Sequence, residues 1–129
     1  SSNNNLNMLR EIRLAALLHK VSNLNPLAVP AKVALNMATK SGAEALNLGK
    51  VGELKEGFKA DIAIFNTSDV HWCPKHDLRS LLVYAGNSSD VDTVIINGKI
   101  VLNNKKLLTI DEERVIFEVN RRAFKLTEK

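Results

Sequence analysis

Asp92-Thr93-Val94-Ile95-Ile96-Asn97-Gly98-Lys99-Ile100-Val101-Leu102 carries the strongest local signal in the chain. Two β-branched runs flank Asn97-Gly98. A type I′ connection needs positive φ at both central positions, which Asn and Gly reach at least cost. The spacing therefore predicts an antiparallel hairpin with strands over residues 92–96 and 99–102. Beyond it, residues 103–106 read as a second turn and 107–109 as a short strand. A last helix follows, capped by Thr109 or Asp111. Its first turn holds Glu112 and Glu113, and Arg121, Arg122 and Lys125 lie near its end, which suits the helix dipole. Before the hairpin, residues 61–65 form a short apolar run closed by Asn66 and read as a buried strand. Residues 70–74 read as a loop or edge strand. Residues 76–85 read as a short helix with Leu78, Leu81, Leu82 and Tyr84 as its apolar members.

The first third is helical in pattern. Leu6, Leu9, Ile12, Ala16 and Leu17 recur at three- and four-residue spacing, widened by Leu14 and Leu18, and predict a helix over residues 3–20 capped by Asn4 or Asn5. Pro30 suits the first position of a second helix, which runs to about Lys40. Ser41-Gly42 is expected to interrupt it. Residues 43–48 add a further helical turn, with Gly49 as its left-handed cap. Helices come first and only three or four short strands follow, so the sheet must pack on something else. The N-terminal helices do not obviously supply that cover.

The 129 residues suffice for one domain, and the composition is ordinary: 45% hydrophobic, 25% charged, 5% aromatic. One Cys excludes a disulfide scaffold or a thiolate zinc site. Apolar runs are far too short for a membrane span, so no membrane partner is expected. Residues 1–5 are polar and uncharged, unlike a signal peptide, and with the lone Cys73 they point to the cytoplasm. The net charge of +4 is spread along the chain, with only Lys105-Lys106 and Arg121-Arg122 as local clusters. A phosphate-binding surface gathers its cations on one face, so no nucleic-acid partner is expected.

No residue pattern makes an active site by itself. His19, His71 and His76 stand apart, without the H-x-H or helical i, i+4 spacing that brings imidazoles to one metal. His19 reads as a cation at a helix C-terminus. Cys73 with His76-Asp77 evokes a nucleophile and base, but Asp77 or His76 reads better as a helix cap. Asp90 and Asp92 fall in a turn with no apolar setting to raise a carboxyl pKa. Gly49-x-x-Gly52 and Gly57 lack the Gly-Lys-Ser/Thr ending of a phosphate loop.

Three ordered stretches carry a resemblance. The first is Ser2-Asn3-Asn4-Asn5-Leu6-Asn7-Met8 with Glu11-x-Arg13-x-Ala15-x-Leu17-x-His19-Lys20. The second is Ala38-Thr39-x-x-Gly42-Ala43-x-Ala45-Leu46, then Gly52-x-Leu54-x-x-Gly57-x-Lys59-Ala60-Asp61-Ile62. The third runs from Asp92 to Val101. Together they resemble the C-terminal end of the amidohydrolase superfamily, in the branch of methylthioadenosine/S-adenosylhomocysteine deaminases, cytosine- and guanine-type deaminases and triazine chlorohydrolases. Phe58 stands where the family usually has Lys or another polar residue, and Asn66 where it often has Asp.

The resemblance implies an α+β fragment: the C-terminal helices of a (β/α)8 barrel, then the C-terminal strands of a small composite β-sandwich, then a terminal helix. Residues 1–49 would belong to the barrel, 50–110 to the sandwich with its short helix at 76–85, and 111–129 to the terminal helix. It further implies a parent that is a metal-dependent hydrolase, a deaminase or chlorohydrolase using zinc or iron on an amine-bearing heterocycle or nucleoside-like molecule. The family's metal ligands, an H-x-H pair, later His residues and an Asp, would all precede Ser1. This chain would hold no metal, cofactor or catalytic residue. Ser2 and Asn3 would lie near the mouth of the site, where such barrels place their chemistry. Apolar faces meant for the missing barrel predict self-association. The alternative is a free-standing interaction or assembly module of the same fold.

Overall fold

A computed structural model describes residues 5–127 and shows a small α+β arrangement with one four-stranded antiparallel sheet. The first helix, α1, spans Met8–Ser22. It starts later than its apolar pattern suggests because Asn7 is the cap, its side chain accepting from the Leu9 and Arg10 N–H groups. Asn4, one of the two expected caps, lies outside the described residues, and Asn5 precedes the helix.

Pro30 precedes α2 (Ala31–Ala38) as its cap residue rather than opening the helix. The break before α3 (Lys40–Ala45) falls at Thr39, whose backbone leaves the helical region (φ −123°, ψ −99°). Gly42 sits inside α3 instead of interrupting it. A Cβ there would meet the Met37 carbonyl oxygen at 2.9 Å, so this glycine allows a close backbone approach. The left-handed residues after α3 are Asn47 (φ 54°) and Lys50 (φ 60°), not Gly49.

The sheet contains β1 (Ile62–Phe65), β2 (Val91–Ile96), β3 (Lys99–Asn103) and β4 (Lys106–Leu107), in that order. Asn97 and Gly98 take φ 50° and 77°, as the hairpin requires. Asp61 holds that turn from the neighbouring strand, its carboxylate accepting from the Asn97 N–H at 2.6 Å. Ile62 pairs with Ile95 and Phe65 with Val91, with an irregularity between Ile64 and Phe65. Residues 70–74, expected as loop or edge strand, form a single 3₁₀ turn at Val70–Trp72. Then α4 spans Leu78–Tyr84, a second 3₁₀ turn spans Ser88–Asp90, and α5 spans Glu112–Thr127.

The main hydrophobic core lies among the helices. Ile12 and Ala16 of α1, Ala31 and Ala34 of α2 and Val83 of α4 form one buried cluster, with Leu9, Val29, Leu35 and Ala38 against it. Four of these nine side chains are Ala, which lets the helix backbones approach closely. Arg13 ties α1 to the end of α4, its guanidinium donating to the Val83 and Gly86 carbonyls at 3.2 and 2.7 Å. Lys20 ties α1 to the loop before α2 through the Ala28 and Val29 carbonyls. Among the described residues the sheet is covered less: β2 is only half-buried, Ile64, Ile96 and Ile100 stay exposed, and α5 buries none of its residues. Among the described residues, no helix is long and apolar enough to cross a membrane.

Candidate functional site

Two places combine polar chemistry with a defined geometry. The first is a cleft of about 430 Å³ along the outer side of α1, lined by Asn5, Arg10, Glu11, Arg13, Leu14 and Leu17. Ser2 and Asn3, the residues expected nearest the mouth of the parent's site, lie outside the described residues. Within the cleft Arg13 is committed to the α4 carbonyls, so its guanidinium serves packing before it can serve a ligand.

The second place is centred on Asp90. This carboxylate was expected in an open turn, but it is 3% exposed. Trp72, itself buried, covers it from a segment 18 residues earlier and donates its indole N–H to Asp90 Oδ2 at 3.2 Å. The same oxygen accepts the Asn87 backbone N–H at 2.8 Å and lies 2.8 Å from His71 Nε2. The Asp90 backbone carbonyl accepts from Asn66 at the end of β1. One residue thus joins both 3₁₀ turns, β1 and β2. Burial pushes the Asp90 carboxyl up, but hydrogen bonds from His71, Asn87 and Trp72, together with the His71 charge, outweigh it and hold the group below the ordinary carboxylate value.

Asp69, His71 and Asp90 bring their potential ligand atoms within 4.8 Å of one another. This set does not fit a metal of the kind the family uses. Asp90 Oδ2 is surrounded by three hydrogen-bonding partners, and His71 Nε2 is turned onto that oxygen instead of offering a lone pair to a cation. Among the described residues no buried side-chain nitrogen or oxygen lacks a partner, the buried Asp90 carboxylate included. The cluster works as a structural joint.

His71 and His76 do not converge: His71 faces Asp90, while His76 precedes the α4 cap. That cap is Asp77, one of the two residues expected there. Its side chain accepts the Ser80 hydroxyl at 2.7 Å and the Arg79 N–H at 3.0 Å, and these bonds lower its pKa. Cys73 is exposed and follows Trp72 out of the core. The Asp90 joint escaped the sequence reading, although two signals for it exist. Asn87 and Asp90 have capping-box spacing, and the chain's single Trp sits in a polar stretch where nothing local explains it.

Comparison with known proteins identifies the arrangement. The Amidohydrolase family matches residues 1–101. A 5-methylthioadenosine/S-adenosylhomocysteine deaminase of Pelotomaculum thermopropionicum is 53% identical over 129 residues, all of this chain and 30% of the relative. The corresponding deaminase of Dictyoglomus turgidum is 50% identical over the same extent. Among solved structures, an adenosine deaminase from Xanthomonas campestris with bound zinc superposes with a TM-score of 0.93 at 32% identity, over 96% of this chain and 28% of that one. An atrazine chlorohydrolase from Arthrobacter aurescens complexed with zinc gives 0.79 at 32% identity, over 88% of this chain and 25% of that one. The chain therefore spans less than a third of the length of the proteins it matches. By the extent of the family match and the agreement of the fold, the chain belongs to the amidohydrolase family.

Proposed function

We propose that this chain is the C-terminal portion of a metal-dependent hydrolytic deaminase. The observation that carries the reading is the match of all 129 residues to deaminases of which they form 30%. In this reading residues 1–49 complete a (β/α)8 barrel, residues 50–110 supply the C-terminal share of a composite sandwich, and residues 111–129 form an outer helix. The substrate is an amine-bearing heterocycle of nucleoside type, neither nucleic acid nor membrane. The parent's chemistry is attack of an activated water on an electrophilic carbon, with loss of ammonia or a similar group. A zinc or iron ion belongs to the parent and is held by residues outside this chain. No step of the reaction is assigned to the chain's own side chains, because the Asp69–His71–Asp90 set does not fit the metal. The role left to it is architectural: α1 carries Arg10 and Glu11 along one cleft that Asn5, just before the helix, also lines, and Ser2 and Asn3 are the residues this reading assigns to the substrate mouth.

The test is ammonia release from 5-methylthioadenosine by the purified 129-residue chain, with zinc or ferrous iron supplied. No turnover and no stoichiometric metal are expected. Turnover by this chain alone would overturn the reading. The closed core of α1, α2 and α4 favours a second reading, a free-standing interaction or assembly module of the same fold without catalysis. Ultracentrifugation separates the two, because the module predicts a strict monomer and the portion predicts self-association through uncovered apolar faces.

A further inference from the structure

The start of α1 is held from far along the chain. Asn7 caps the helix through its side-chain oxygen, which accepts from the Leu9 and Arg10 N–H groups at 3.1 and 3.3 Å. Its side-chain nitrogen donates to Ser88 Oγ at 3.2 Å, 81 residues later. Ser88 opens the 3₁₀ turn that ends at Asp90. The buried Asp90 carboxylate fixes the residue before that turn by accepting the Asn87 N–H. A second tie lies less than about two helical turns further along α1, where Arg13 donates to the Val83 and Gly86 carbonyls. One attachment would leave the helix start free to pivot, whereas two set both its position and its rotation.

The Asn7–Ser88 bond is exposed, so it adds little to folding. Ile12 and Ala16 already secure α1 in the core. What the bond does fix is the direction of the chain as it enters the helix. Order runs back from the cap, since the Asn7 N–H donates to the Asn5 carbonyl at 2.9 Å. Asn3 stands two residues before Asn5 in the chain. We infer that Asn7 and Ser88 are positioning residues for substrate binding: their bond links the Asp90 joint to the start of α1 and so aims the Ser2-Asn3 segment. The inference rests on the proposed reading of the chain as part of a deaminase, and it adds to that reading the residues that aim the mouth. Neither side chain touches substrate. A small misplacement of a binding segment costs more in recognition than an exposed hydrogen bond is worth to stability.

The experiment uses the 129-residue chain and a full-length chimera in which this sequence replaces the matching segment of the Pelotomaculum deaminase, 53% identical to it. Ser88→Ala removes the acceptor, and Asn7→Ser keeps a cap but is too short to reach Ser88. In the isolated chain S88A should speed amide exchange at Leu9 and Arg10 about threefold, with the Tm almost unchanged. In the chimera either substitution should raise KM for 5-methylthioadenosine at least about threefold and leave kcat within about twofold, the signature of lost binding. The double variant should be no worse than either single one, because both remove the same bond. Asn7→Asp should restore KM, since its carboxylate both caps α1 and accepts the Ser88 hydroxyl. Gly98→Ala is the control for stability alone, and should lower the Tm without moving KM. Unchanged exchange at Leu9 and Arg10 in S88A would overturn the inference, as would additive effects of S88A and N7S. Unchanged KM in both variants of a chimera that releases ammonia would overturn it too, while leaving the parent reading intact. A chimera that folds but releases no ammonia would instead defeat the parent reading, and the inference with it.

Discussion

The helical unit and the sheet are stabilised in different ways. In α1, α2 and α4 the side chains at the interface are buried and small, and charged groups reach backwards to tie the ends together: Arg13 onto α4, Lys20 onto the loop before α2. In β1 to β4 the backbone ladder and two tight turns carry the order, while Ile64, Ile96 and Ile100 face outward. The contrast teaches that local order and a closed core are separate achievements. The hairpin is specified by two residues with positive φ whether or not anything covers it. The helical unit exists only because three segments distant in sequence meet. Asp90 connects the two regimes, since its side chain serves the turns beside the helices and its backbone serves the sheet.

The contrast can be broken most severely at that connection. Asp90→Ala should cost about 3 kcal/mol in urea titration, because the Trp72 indole, the Asn87 N–H and His71 lose their common acceptor in a buried place. Acid should act through the same group. A carboxyl whose folded pKa is depressed contributes stability above its unfolded value of about 3.9, and that contribution is lost as pH falls through the lower folded value. Asp90→Asn should flatten this part of the acid unfolding curve, and an unchanged curve would remove Asp90 from the account.

Next in size is the helical core. Ala34 is fully buried between α2 and its neighbours, so Ala34→Leu should destabilise by about 2 kcal/mol through overpacking. A neutral result would show that the helices can move apart freely. The sheet should respond less, and through its backbone. Gly98→Ala places a Cβ at φ 77° in open space, so its cost of about 1 kcal/mol is purely conformational. Smallest of all is α5. Phe117 is exposed and touches no core, so Phe117→Ser should change the chain's stability by less than about 0.5 kcal/mol. Amide exchange should rank the regions likewise, with α1 most protected and α5 least.

Much of this is legible in the sequence. The Asn97-Gly98 hairpin, the Asp77 cap, the terminal helix and a strand at 62–65 all follow from rules that act within a few residues, although that strand, expected to be buried, leaves Ala63 and Ile64 exposed. The misses share one physical cause. Asp90 was placed in open water because its neighbours are polar, and it is buried because Trp72 arrives from elsewhere. Gly42 looked like a helix break, and its real constraint is a carbonyl five residues away that folds back against it. In α1 the periodicity mixed both apolar sides, counting Leu6 and Leu17 with Ile12 and Ala16. Leu6 is 90% exposed, whereas the two residues chosen for the core are those near which α2 and α4 pack closely.

By itself, then, the sequence determined the order of the main elements, the Asn97-Gly98 turn, the Asp77 cap and the family, because each depends on backbone preferences or on spacing along the chain. Tertiary structure alone decided which side of α1 is core, which carboxylate is buried and where the sheet lacks cover. Those outcomes depend on which surfaces meet. A residue's neighbours in the chain constrain its conformation, but its burial is set by partners that only folding brings near.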